Sequence, residues 1–215
     1  MTVSCKAASG YSPATAMPVA RSMASEVVLD AAEALVGSEG FSGLSVRRLA
    51  SALGVSRQVV YTHFGGLEGL WNALYRRGAD RLAARVAALD ETPGTVAHVH
   101  AASHAYVAAA RQSPHLFQLV FARPVPDFDP DADARRVGRA AFGVVVWVCG
   151  CWLAGEEVPR EAAWASPEAV GLARVLWACV HGHVVIEAAG HAEEAMTDAL
   201  VTRAVESLLA GWPRS

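Results

Sequence analysis

Lysine is almost missing from this chain of 215 residues. Lys6 is the only one, and nearly all positive charge is carried by arginine, whose planar fork suits bidentate recognition of phosphate and guanine. Charge of either sign is sparse, at 18% of residues, and the formal net charge is −3. This excludes nucleic-acid binding through a global positive field, so any DNA contact must come from a local basic surface. Cysteine is limited to Cys5, Cys149, Cys151 and Cys179. Cys149 and Cys151 are too close along one helix to share a face, which excludes a local disulfide or zinc knuckle; all four suit buried thiols in a reducing compartment. No apolar run reaches the length of a membrane span. The longest, residues 140–154, is too short and contains glycines. The N-terminus lacks the continuous apolar stretch of a signal peptide. These absences predict a cytoplasmic protein with no membrane partner. There is no internal repeat, and no Ser-His-Asp order, glycine-rich phosphate loop or paired-carboxylate site to support catalysis.

What is present is alanine, leucine and valine in helical periods. The chain is 53% hydrophobic, and its β-branched residues are mostly valines inside helical patterns, which predicts an all-α fold of about nine helices. Residues 1–22 are rich in Ser, Ala, Pro and Gly and read as a disordered tail. Residues 23–66 form a first domain, beginning with a helix from about Ser25 to Ser38. Residues 67–212 form a second, with a long helix from Leu67 to about Leu89. Further helices follow from Val96, Pro114, Asp133, Pro167 and Ala192, with loops over residues 123–131 and 155–166.

Within the first domain, residues 45–64 read as two short helices joined by a tight turn. Ser45 is a good N-cap. Leu49, Ala50 and Leu53 form one apolar face. Gly54 supplies the positive φ that ends the helix. Ser56 can cap the second helix, which Val59 and Val60 pack back while Arg57, Gln58, Tyr61, Thr62 and His63 offer polar groups. Ala50 is small enough for two steeply crossing helices to approach closely. This arrangement pushes a helix into a DNA major groove.

The order and spacing resemble the TetR/AcrR-type transcriptional regulators. The residues that carry the resemblance are Ser38-Glu39-Gly40-Phe41, Ser45 to Ala50, Leu53 to Ser56, and Val59 to Phe64. Less specifically, Trp177 with His181-Gly182, and the Arg111 to Phe117 stretch, are similar to a subgroup with a Trp-His-Gly signature. The resemblance implies an all-α homodimer, binding of double-stranded operator DNA, and repression relieved when a small-molecule inducer enters the C-terminal domain. One departure is visible: the family usually has a phosphate-holding lysine at the start of the fourth helix, where this chain has Leu67.

Gln58 can pair with adenine and Arg57 with guanine, which makes Arg57, Gln58 and Thr62 the candidate sequence readers. Ser45, Arg47, Ser56, Tyr61 and His63 complete the DNA-binding set, mostly as phosphate contacts. In the second domain Phe117, Phe121, Phe142, Trp147, Trp152 and Trp177, with His104 and His181 as polar groups, are candidates for lining a ligand pocket. Charged residues are scarce there, so a largely apolar ligand is expected. The last two long helices are apolar in more than one direction, and pairing them with their mates gives a homodimer whose candidate contacts are Leu172, Val175, Leu176, Val184, Val201, Val205 and Leu208. His100 and His104 share a helix face, as do His183 and Glu187, yet nothing local completes a metal site; no metal and no cofactor are expected. Two alternatives stand beside this reading. One is a DNA-binding protein of the same fold without a small-molecule inducer; the other is a helical metalloenzyme built on His100, His104 and the His181/His183 segment.

Overall fold

The computed structural model of the protein describes residues 13–213, with side chains from Ser25 onward. The described residues form ten α-helices and no strand: α1 (Pro13–Glu39), α2 (Val46–Leu53), α3 (Arg57–Phe64), α4 (Leu67–Ala87), α5 (Val96–Gln112), α6 (Pro114–Phe121), α7 (Ala132–Ala154), α8 (Arg160–Ala165), α9 (Pro167–Ala188) and α10 (Glu194–Gly211), with a 3-10 turn at Phe41–Gly43. The helix beyond the expected count is α8, which occupies the stretch read as a loop. Its Ala163 is buried against Gly150 of α7, where a Cβ on the glycine would approach the Ala163 methyl to 2.7 Å. Helix α1 begins at Pro13, well before Ser25; residues 1–12 of the expected tail lie outside the described residues, as does Cys5.

The chain divides into two units, one ending at Leu70 and one running from Trp71. In the first, α1, α2 and α3 pack together around Val28, Leu29, Ala32, Val36, Leu44, Leu49, Ala50, Val60 and Leu70, all buried. Gly69 is required on packing grounds, because a Cβ there would fall 1.8 Å from the Phe64 carbonyl oxygen. That close approach lets α4 start directly after α3.

The second unit is a bundle in which α7 packs on α8 and α9, α9 on α10, and α5 on α6, α7, α9 and α10. Its core includes Val99, Val107, Val146, Val148, Cys149, Trp152, Leu172, Val180, Val201 and Val205. Burial pushes the Cys149 thiol up to about 12 and raises that of Cys151, so both are inert; Cys179 is exposed, against the expectation of a buried thiol. A bidentate ion pair clamps three helices: Arg111 of α5 donates from Nε and Nη2 to the Glu187 carboxylate of α9, each at 2.7 Å, and from Nη1 to Asp198 of α10 at 3.3 Å.

Two helices correct the expectation about apolar length. Both α7 and α9 are long and apolar enough to cross a membrane, because α7 extends the 140–154 run back to Ala132. Of their most apolar windows, 50% and 33% respectively are buried among neighbouring helices.

Candidate nucleic-acid interface and cavity

The first unit places one polar helix face outward. Ser45 caps α2 as expected, its Oγ accepting from the Arg48 amide at 3.2 Å, and Gly54 closes α2 in the left-handed region at φ 65°. Ser56 occupies the N-cap position of α3 with extended backbone but makes no side-chain cap bond. Val60 points inward and is fully buried, which turns Arg57, Gln58, Tyr61 and Thr62 to the exposed side. Thr62 Oγ1 donates to the Gln58 carbonyl at 2.8 Å. Ser45 and His63 are half-buried, His63 lying beside Phe64.

The arginines of this unit differ. Arg48 is engaged by Glu39 in an ion pair. Arg47 and Arg57 are exposed and have no ion-pair partner among the described residues. Two exposed guanidiniums, Arg47 on α2 and Arg57 on α3, with the amide and hydroxyl groups of α3, make the local basic surface that a net acidic chain needs for DNA. Tyr61 is 51% exposed and lies over Gly66, where a Cβ would sit 3.3 Å from its Cε1. At φ 132°, Gly66 also adopts a backbone conformation that other residues rarely take.

The second unit holds a cavity of about 490 Å³ between α4, α5, α6, α7 and α9, within the usual range for small-molecule sites. Small residues open it: Ala79, Ala102, Ala141 and Gly138 stand where the helices converge. A Cβ on Gly138 would lie 2.9 Å from the Tyr75 hydroxyl. Of the residues expected to line a pocket, Phe121, Phe142 and Trp177 do so. The others lie elsewhere, each for a local reason. Trp152 is buried in the core. Trp147 donates from Nε1 to the Val158 carbonyl at 2.8 Å and carries the Arg160 guanidinium over its ring. His104 bonds Thr202 of α10 at 2.9 Å. Phe117 and His181 stack behind the wall, with ring centroids 5.2 Å apart.

His181 still reaches the cavity through one relay. Trp177 Nε1 donates to the Tyr106 hydroxyl at 3.0 Å, and that hydroxyl lies 2.8 Å from His181 Nδ1. Because the indole occupies a lone pair of the phenol oxygen, the phenol proton is available to His181. Burial supports neutral partners, since it raises the Tyr106 phenol and lowers the His181 imidazole. Sequence reasoning missed Tyr106 and also Tyr75, Arg135, Arg139 and Arg174, all of which line the cavity. A surplus of aromatic residues is a signal that sequence carries, whereas single tyrosines and arginines on a helix carry none.

The residues chosen as dimer contacts are mostly committed within the chain. Leu172, Leu176, Val184, Val201 and Val205 are buried, Leu176 in the cavity wall; Leu208 is half-buried, and Val175 is exposed. Apolar periodicity marks the inward face of a helix first. The apolar residues left outside are Val175, Val185 and Ile186 on α9, with Met196 and Leu200 on α10.

A capped helix-turn-helix with an outward polar face, joined to a helical unit with an internal cavity, defines a DNA-binding regulator. Residues 28–74 match the model of bacterial regulatory proteins of the tetR family, and residues 99–208 match that of the tetracyclin repressor-like C-terminal domain. The chain belongs to the TetR family. It is 27% identical over 189 residues to an uncharacterized HTH-type transcriptional regulator of Mycobacterium tuberculosis, an alignment covering 88% of this chain and 81% of that one. Over 56 residues it is 41% identical to the HTH-type transcriptional repressor AcnR of Corynebacterium glutamicum, covering 26% of this chain and 30% of that protein. Among solved structures, a protein with unknown function from Rhodococcus sp. RHA1 superposes with a TM-score of 0.71 at 28% identity, covering 88% of this chain and 95% of that one.

Proposed function

We propose that this TetR-family regulator is a cytoplasmic, non-enzymatic repressor that binds a palindromic operator as a homodimer and leaves it when a small, largely apolar ligand enters the second unit. The observation that carries the reading is the exposed α3 face; in this reading Arg57 and Gln58 meet base edges, and Ser56 and Tyr61, with Arg47 of α2, meet phosphates. Leu67 replaces a phosphate-holding lysine in this account, and Arg47 takes over part of its charge. Repression is supported by the name of the AcnR relative, whose alignment is short.

The second copy is assigned to the apolar surface of α9 and α10. Val175, Cys179, Gly182 and Ile186 recur at helical spacing along α9, with Met196 and Leu200 on the neighbouring α10. A twofold dimer buries this surface on both copies at once. The ligand is assigned to the cavity, which favours this reading over a regulator without an inducer. Helix α4 carries the coupling: its first turn belongs to the DNA-binding unit, and its Tyr75, Ala79, Leu82 and Val86 line the cavity. A ligand that fills the cavity in one setting of α4 better than in another shifts the spacing of the two α3 helices. Near-complete release needs a differential affinity of about 5 kcal/mol between the two settings.

Selection of bound duplexes from a random pool tests the reading. The expected result is a consensus with twofold symmetry and half-sites about one helical turn, or a simple multiple, apart. Recovery of no enriched sequence rejects it.

A further inference from the structure

Most of the cavity wall is apolar, its uncharged polar side chains are Tyr75, Ser103, Tyr106 and Trp177, and every charged side chain that lines it is an arginine. Arg135 and Arg139 follow each other at i and i+4 on α7, and Arg174 comes from α9; no acidic side chain lines the cavity. Arg135 is paired with Asp129 at 2.9 Å, an exposed contact. Arg139 and Arg174 are exposed and have neither an ion pair nor a hydrogen bond among the described residues. Three guanidiniums lining one cavity with no acidic residue among the lining repel one another, and a wholly apolar ligand leaves that repulsion in place. An anion there neutralises it and accepts the paired donors that guanidinium presents in a fixed fork. Elsewhere in the lining, Ala79, Leu82, Val86, Phe142, Val145 and Val148 are apolar.

We infer that the ligand of this cavity is an amphipathic anion, with an apolar body among the α4, α5 and α7 side chains and a carboxylate or phosphate held by Arg139 and Arg174. This deepens the ligand-responsive reading and rests on it. Arg135 joins the anion by exchanging its surface pairing with Asp129, an exposed contact of little net strength. Tyr75, whose hydroxyl sits beside Gly138 and near Arg135, adds a neutral donor at the same end. Burial raises its phenol above the ordinary value even with two arginines nearby, so it stays protonated and able to donate.

A matched pair of fluorescent probes tests the inference on the full chain. 8-Anilinonaphthalene-1-sulfonate and N-phenyl-1-naphthylamine share one aromatic body and differ by the anionic group. The expected result is at least tenfold tighter binding of the sulfonate, and loss of that advantage in an Arg139→Gln/Arg174→Gln double variant that binds the neutral probe as before. Both arginines are exposed, so the variant retains its helicity and melting temperature. Displacement by decanoate, decyl phosphate and decanol then separates the sources of the anion: either anion displacing the probe at least tenfold better than decanol supports the inference and names its head group. Equal binding of the two probes, unchanged by the double variant, overturns the anionic head but leaves the cavity as a ligand site. An Ala141→Trp variant that fills the cavity distinguishes the deeper failure. If it folds and binds both probes as the parent does, the cavity is not where they sit and the ligand-responsive reading falls with the inference.

Discussion

At the scale of single residues, the division of labour on α3 follows from which side chains are already committed. Arg48 is held by Glu39, whereas Arg57 and Arg47 are exposed without an ion-pair partner among the described residues. Arg57→Ala or Gln58→Ala should therefore lower the preference for operator over unrelated duplex by about 1–3 kcal/mol for each base that is no longer read. Arg47→Ala should weaken binding to all duplexes alike and flatten the salt dependence. Competition titrations at two ionic strengths separate the two patterns. The residues of this face were legible in the sequence because helix-turn-helix chemistry is local: a cap, a glycine at positive φ and a buried valine within twenty positions specify which side chains turn outward. Of the cavity residues, Phe121, Phe142 and Trp177 were legible as part of an aromatic surplus, and the arginines were not. Arg139 and Arg174 look like solvated surface in any one-dimensional reading, and only the packing of α7 on α9 brings them to one cavity. Trp147 and Trp152 went the other way: their indoles found a backbone carbonyl and the core.

At the scale of elements, helix existence was readable from apolar periodicity, and the exceptions have physical causes. The six-residue α8 is too short to show a period, and it forms because Ala163 can seat against Gly150. The bundle gains cohesion from the Arg111–Glu187–Asp198 clamp across α5, α9 and α10. Hydrogen bonds from Arg111 hold the Glu187 carboxyl below its ordinary value of 4.5, against the opposing effect of burial. A depressed carboxyl stabilises the fold above its unfolded-state value, and that stabilisation is lost as pH falls through the folded-state value. Glu187→Gln should thus cost about 1–3 kcal/mol at neutral pH, as for a charge-assisted hydrogen bond. Urea titrations should show the gap between variant and parent closing below pH 4.5. His181 adds to the acid sensitivity in the same direction. Its imidazole is lowered by burial, so the unfolded chain takes up a proton between that value and 6.5 that the folded chain does not.

At the scale of the whole molecule, five exposed large apolar side chains among the described residues lie on α9 and α10, the two helices that the sequence marks as too hydrophobic for a single packed face. Of the contacts expected there, Leu172, Leu176, Val184, Val201 and Val205 are buried in the chain's own core, Leu208 is half-buried and Val175 is exposed. Ile186 and Val185, both close to half exposed, instead face outward. Ile186→Arg should leave each chain folded and shift sedimentation from dimer to monomer, since like charges then meet across the twofold axis. Operator affinity should drop with it, because each monomer reads only one half-site.

Operator recognition by the proposed dimer requires α3 to meet DNA as one of a symmetric pair, and chemical footprinting of the selected duplex tests this most directly. Two protected patches on one face of the helix are predicted, related by a twofold axis, with guanine protection in each half-site absent from the Arg57→Ala footprint. A footprint without symmetry, one that Arg57→Ala and Gln58→Ala leave unchanged, or no protection at low ionic strength would contradict it.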